Sequence, residues 1–199
     1  MRHENLDIDG KKREIVEWAF DRFYEGGFHA TAVDAAMAGS GISKRTIYKY
    51  FSSKEELIEA VLVLYGAFIV QELFDPVSRI SDPRQQIVAF FDTGHGQDRR
   101  ILTRGCLGLK AAQEYAGKHD RIVALGRHAA SRAEARFTEL CGKAGLAQPE
   151  ALGKQLNVIF QGALLLSHAT GDTTAFASAK TVAAALLERA AAGGTKASG

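Results

Sequence analysis

The stretch that decides the fold is Thr31-Ala32-Val33-Asp34-Ala35-Ala36-Met37-Ala38-Gly39-Ser40-Gly41-Ile42-Ser43-Lys44-Arg45-Thr46-Ile47-Tyr48-Lys49-Tyr50-Phe51. Thr31 before Ala32-Val33-Asp34 has the order of a helix N-cap followed by an acid at the third helical position, which opens a short helix. Gly39-Ser40-Gly41 stops that helix within about two turns. Ser43 then caps a second short helix, Lys44 to Phe51. On it Ile47 and Phe51, four apart, form the face that packs inward. Lys44, Arg45, Tyr48 and Lys49 are left facing outward. Two short helices joined by a glycine-rich turn, the second of them basic and aromatic, have the form of a helix-turn-helix. A recognition helix must present base-reading side chains on one face and phosphate-holding groups at its ends, and residues 43–51 supply both.

Outward from this stretch nearly every segment has helical periodicity. Upstream, Ile15, Trp18, Ala19 and Phe23 lie on one face of a helix from about Lys11 to Glu25, which Gly26-Gly27 ends. Downstream, Ser53-Lys54-Glu55-Glu56 reads as a capping box opening a long fourth helix. Its stripe of Leu57, Ala60, Val61, Leu64 and Phe68 carries it to about Phe74. Breaks at Asp82-Pro83, around Gly94 to Arg104, at Gly117 to Asp120, at Gly142 to Pro149 and at Gly171-Asp172 leave room for five more helices. From Val158 to Ala169 the strongly polar residues are Gln161, Ser167 and His168 alone, so that helix is buried on more than one face. The last helix, about Thr173 to Ala192, carries Phe176, Ala179, Ala183, Leu186 and Leu187 on one stripe. The predicted fold is all-α with about nine helices. An N-terminal three-helix, helix-turn-helix DNA-binding domain is expected over residues 1–57 and a second helical domain over residues 58–199.

Composition narrows the function. The chain has 199 residues with 25 basic and 23 acidic side chains, a net charge of +2 that does not by itself mark a nucleic-acid binder. The distribution is more informative: residues 35–54 contain no acid and four bases, Lys44, Arg45, Lys49 and Lys54. Cys106 and Cys141 have neither a CxxC spacing nor a paired framework, which argues against a disulfide scaffold and fits a reducing, cytoplasmic setting. No run approaches the roughly 20 uninterrupted apolar residues of a membrane span, and residues 1–9 do not read as a secretory signal, so no membrane association is expected. His95, Cys106, His119, His128, Cys141 and His168 have metal-binding chemistry but no tight spacing on one helix face, and no metal is expected. There is no glycine-rich phosphate loop, no GxSxG, no HExxH and no acid pair of catalytic form, so neither an enzyme nor a cofactor is expected.

The ordered residues Ile15, Ala19, Phe23, Gly27-Phe28, Thr31, Val33, Gly41-Ile42-Ser43, Thr46-Ile47-Tyr48, Tyr50-Phe51 and Ser53-Lys54-Glu55-Glu56-Leu57 resemble the TetR family of bacterial transcriptional regulators. Arg104-Gly105-Cys106-Leu107 with Ala111-Ala112 and Glu114-Tyr115 resembles the ligand-domain sequence of one branch of that family. The resemblance implies a homodimer on a partly palindromic double-stranded DNA operator, a repressor released by a small ligand entering the C-terminal domain. By position it implies that Thr31 caps the second helix near a phosphate, that Ser43, Thr46, Tyr48 and Tyr50 hold the backbone, and that Lys54 meets a phosphate at a helix N-terminus. Lys44, Arg45 and Lys49 are then the candidates for base edges, Arg45 first for guanine. The sequence departs from the family at Arg45, where many members carry a small residue, and at Ala32 and Ala36-Met37.

A second domain of this kind needs a cavity of roughly 300 to 1,000 Å³. Phe68, Phe91, His95, Gln113, Phe137, Phe160, Gln161, Leu164 and His168 are its candidate walls, suited to a small hydrophobic or aromatic ligand. For Gln161 and His168 the alternative is a bond to a neighbouring helix. The dimer interface is expected at Leu156, Ile159, Leu186 and Leu187, from the last two helices of each subunit in a four-helix bundle. The competing function is a helical small-molecule-binding protein or enzyme that keeps the helix-turn-helix only as scaffold. A third is a regulator that activates.

Overall fold

The computed structural model describes residues 10–92 and 99–195. Every regular element among them is helical: α1 (Gly10–Gly26), α2 (Val33–Ala36), α3 (Lys44–Tyr50), α4 (Lys54–Ile69), a π-helical turn (Val70–Phe74), α5 (Asp75–Ser78), α6 (Pro83–Phe90), α7 (Arg99–Arg104), α8 (Leu107–Glu114), α9 (Asp120–Lys143), α10 (Pro149–Thr170) and α11 (Thr174–Thr195). The all-α expectation holds. The short α7 falls where the sequence shows only a break.

The fourth helix runs past its expected end because Pro76 is accommodated rather than obeyed. A proline inside a helix removes one N–H and crowds the carbonyl four residues earlier. Here the backbone widens into the π turn just upstream, the Asp75 N–H donates to the Val70 carbonyl, and the rod continues to Ser78. Lys54–Ser78 is also the one helix among the described residues long and apolar enough to cross a membrane by length and composition. The sequence reading, which sought an unbroken apolar run, passes over it. Its apolar side chains Leu57, Ile58, Val61, Leu62, Tyr65, Ile69, Leu73 and Val77 are buried in the fold.

The chain forms two compact units, Met1–Gly66 with Leu107–Arg127, and Ala67–Cys106 with His128–Gly199. The first is larger than the N-terminal stretch that the sequence sets off and is discontinuous. Its core holds Ile15, Ala19, Phe23, Tyr24, Phe28, Ile47, Phe51, Leu57 and Tyr65 together with Leu107, Ala111 and Ile122. Tyr24 lies edge-on to Phe20 and Tyr65 at 5.6 and 5.7 Å between ring centres. Burial pushes the Tyr115 phenol up to about 12, so it serves this core as a neutral ring.

The second unit is organised by aromatic packing. Phe137 stacks on Phe91 at 5.7 Å and meets Phe90 edge-on at 5.0 Å, and Phe160 packs against both phenylalanines of α6's end and against Phe176. Each such pair adds about 0.5–1.5 kcal/mol beyond the area it buries. Cys141 is buried here, and burial pushes its thiol up to about 11, which leaves it unreactive. The α9–α10 approach is set by Gly153. A methyl group there would meet the Thr138 hydroxyl and lie 2.8 and 2.9 Å from the Thr138 backbone nitrogen and Cα. Backbone cannot swing aside, so Gly153→Ala should destabilise the protein by about 1–3 kcal/mol, read as a lowered midpoint in chemical denaturation with an unchanged slope.

Candidate nucleic-acid interface

α3 has seven residues and is fixed from both ends. The Ser43 hydroxyl accepts a bond from the Thr46 N–H at 3.1 Å and lies 2.9 Å from the Thr46 hydroxyl. Phe51 leaves the helix extended while its N–H donates to the Ile47 carbonyl at 3.0 Å. Ile47 and Phe51 are 2% and 1% exposed, which makes them the inward face. The lead-in turn needs its glycines: Gly39 and Gly41 have φ of +83° and +70°, and the Ser40 hydroxyl between them accepts from the Ile42 N–H at 3.0 Å. At α4 the Ser53 cap forms, and Glu56 reaches back one residue further than a reciprocal capping box requires. Ser53 accepts from the Glu56 N–H at 3.1 Å, and the Glu56 carboxylate accepts from the Ser52 N–H at 2.6 Å and the Ser52 hydroxyl at 2.8 Å. Those two bonds hold the Glu56 carboxyl below the ordinary glutamate range.

Of the side chains expected to meet DNA, Ser43, Lys44, Arg45, Tyr48 and Lys49 are exposed, while Thr46, Tyr50 and Lys54 are half-buried. Tyr48 is therefore the tyrosine that points out, and the Lys49 ammonium lies 5.6 Å from the centre of the Tyr50 ring. Thr31 departs from its expected place. Ala32 is the N-cap of α2 and has no capping side chain, whereas Thr31 is buried with its hydroxyl packed against Gly26. One contact escaped the sequence reading because it joins residues ten apart across the turn. Lys44 donates to the Asp34 carboxylate at 2.8 Å, a bond between exposed groups that holds the ammonium above the ordinary lysine range. Arg45 has no ion pair among the described residues, so its guanidinium is open to a partner.

Residues 15–61 match the family described as bacterial regulatory proteins, tetR family. That stretch carries the signature of the TetR family. The chain is 26% identical over 170 residues to the HTH-type transcriptional regulator YxaF of Bacillus subtilis, covering 83% of this chain and 89% of that protein. It is 32% identical over 95 residues to the HTH-type transcriptional activator FasR of Mycolicibacterium smegmatis, 46% of this chain and 43% of that protein, so the match spans less than half of that relative. A TetR-family regulator from Cytophaga hutchinsonii shares the fold, with a TM-score of 0.79 at 15% identity over 92% of this chain and 98% of the other. The matches are family-level evidence for a DNA-binding transcriptional regulator.

The expected ligand residues are distributed widely. Phe91, Phe137, Phe160 and Leu164 are brought together, but as packed, buried core. Phe68 is half-buried in the same unit, Gln113 is exposed in the first unit, and His95 lies outside the described residues. His168 Nδ1 lies 3.0 Å from the Thr103 carbonyl oxygen, the neighbouring-helix alternative. Gln161 donates to Asn157 on its own helix at 3.4 Å, while its Oε1 is buried without a partner. A groove of about 440 Å³ instead opens between the π turn and α9, lined by Val70, Phe74, Asp75, Ser78, Arg132, Ala135, Arg136 and Glu139. Arg136 is fixed there by Glu139 at 2.8 Å and Gln86 at 3.1 Å. Among the described residues no three His, Cys, Asp or Glu side chains are grouped to hold a metal.

The expected dimer residues are also redistributed. Leu156 and Leu187 are buried within the chain itself, and Ile159 and Leu186 are half-buried. The apolar side chains left outside are Val158, Leu165 and Leu166 on α10 and Val182 on α11.

The Asp34–Lys44 pair yields a direct test of the interface. Asp34→Asn frees the Lys44 ammonium and removes a negative charge beside it. Binding to any duplex should tighten at low salt, and the slope of log affinity against log salt should steepen by about 0.9, one additional phosphate neutralised. A slope equal to that of the unaltered protein would place Lys44 away from the DNA backbone.

Proposed function

We propose that the chain is a cytoplasmic, dimeric, operator-binding repressor whose grip on DNA is released by a small molecule held in the second unit. The observation that carries this reading is α3 itself: a capped helix, anchored by buried Ile47 and Phe51, that presents Arg45, Tyr48 and Lys49 outward with Arg45 unpaired. A guanidinium in that position suits the O6 and N7 acceptors of guanine in the major groove. The residues of the first unit read DNA, and those of the second bind ligand and a second subunit.

Dimerisation is supported by the outer face of α10 and α11. Val158 and Leu165 are 72% and 66% exposed, and Gly162 between them has open space at its α carbon, so another helix can approach closely. Two α3 helices related by a two-fold axis then read half-sites about 34–36 Å apart, or a near multiple. The ligand reading rests on the groove beside the π turn, whose size suits a small molecule and whose floor of Val70, Phe74 and Ala135 suits an apolar body. A ligand that prefers the DNA-free conformation weakens operator binding by that preference, typically about 1 to 3 kcal/mol. FasR carries the name activator, and the same DNA contacts serve activation when the operator lies upstream of the promoter.

Fluorescence anisotropy with the duplex upstream of the chain's own gene, against a scrambled duplex, tests the reading. Operator binding should exceed scrambled binding, and Arg45→Ala should cost about 1–3 kcal/mol on the operator while relaxing preference at one base pair in each half-site. Equal binding of both duplexes at every salt concentration would favour the scaffold alternative. Leu165→Glu places a charge on the proposed subunit face and should shift the protein from dimer to monomer in light scattering; an unchanged mass would move the interface elsewhere.

A further inference from the structure

The chain leaves α1 through Gly26-Gly27-Phe28-His29 and enters the helix-turn-helix. Gly27 has φ of +76°, and the two N–H groups that follow it converge on one carboxylate. Phe28 donates to Glu114 Oε1 at 3.1 Å and His29 donates to Glu114 Oε2 at 2.5 Å. Successive backbone N–H groups around a left-handed residue form a concave anion seat. The anion comes from α8, 86 and 85 residues away in sequence.

One helical turn earlier on the same face of α8, Lys110 donates to the Tyr24 carbonyl at 3.0 Å and sits 5.7 Å from the Tyr24 ring centre. Tyr24 belongs to the last turn of α1, where the carbonyls lack intrahelical partners and a cation is favourable. Lys110 thus satisfies the end of α1, and Glu114 satisfies the turn beyond it. The space is tight: a methyl group on Gly27 would lie 3.0 Å from Glu114 Oε1. Phe28, fully buried, packs 5.4 Å from Phe23 and 6.4 Å from Tyr115, the neighbour of Glu114.

We propose that Lys110 and Glu114 are positioning residues for operator reading, so that α8 is the mount on which the lead-in turn of the helix-turn-helix is set. The DNA-reading unit is then discontinuous in sequence and incomplete without residues 107–127. Neither side chain touches DNA. Each fixes the direction in which the chain leaves α1, and with it the angle at which α3 is presented. A displacement of α8 reaches the reading helices through these bonds. The inference rests on the operator-binding reading above.

The test uses the full chain with the operator and scrambled duplexes, each variant first confirmed folded by circular dichroism. Glu114→Gln keeps the shape of the side chain but turns an amide donor toward an N–H donor, so it separates the acceptor role from packing. Glu114→Gln and Glu114→Ala should both lose about tenfold in operator affinity, as expected for charge-assisted bonds, with scrambled-duplex affinity and salt slope unchanged. Lys110→Met, which keeps an apolar stem over Tyr24, should lose about threefold in the same selective way. Operator binding by Glu114→Gln equal to the unaltered protein would overturn the proposal, as would a loss that is equal on both duplexes. An unaltered protein that ignores duplex sequence would instead overturn the operator-binding reading on which the proposal stands.

Discussion

A seven-residue helix does not hold together alone in water, because nucleating it costs more than its few hydrogen bonds return. The outward surface of α3 therefore depends on the burial of Ile47 and Phe51, which ties α3 to the core of the first unit. With those two side chains inward, the spacing of the helix leaves Lys44, Arg45, Tyr48 and Lys49 no inward place. The Ser43 cap and the two turn glycines then set where the helix begins, and the Ser53 cap sets where the next one does. Chemistry on the surface is in this sense a by-product of packing below it.

Features carried by local physics were legible in the sequence. Ser43, Ser53, Asp82 before Pro83, and Gly171 after α10 all act as the residue pattern indicates, because a cap is decided within four residues. Thr31 lies one residue before the cap, since a threonine that can cap a helix can equally be taken up by packing, and here its hydroxyl packs against Gly26. Leu156 and Leu187 show the complementary difficulty. α10 is apolar on most of its circumference, and the sequence does not say which stripe its own protomer takes. The structure assigns Leu152, Leu156, Phe160, Ala163 and Leu164 to the interior and leaves Val158, Leu165 and Leu166 outside. Contacts between distant residues, such as Glu114 with Phe28 and His29, leave no periodic trace at all.

The same logic separates the expected ligand pocket from the observed groove. Phenylalanines on several helices are equally good walls for a cavity and filling for a core, and here ring-to-ring distances of 5.0 to 6.1 Å show them filling it. The open volume sits instead where backbone regularity fails, beside the π turn that Pro76 imposes. A widened turn displaces side chains from the helical register and leaves space against α9, which is why such turns recur at functional sites.

The chain crosses between the two units three times, within α4 after Gly66, at Cys106–Leu107, and within α9 after Arg127. Two crossings run through continuous helix. The third follows Gly105, a residue with φ of +75° whose α carbon lies against His168, itself held by the Thr103 carbonyl. α8 begins immediately after that turn and ends at Glu114. The far end of that helix carries the carboxylate that accepts from the Phe28 and His29 N–H groups. Eight residues of α8 thus tie that crossing to the backbone that follows α1, a link made by hydrogen bonds across more than eighty residues of sequence.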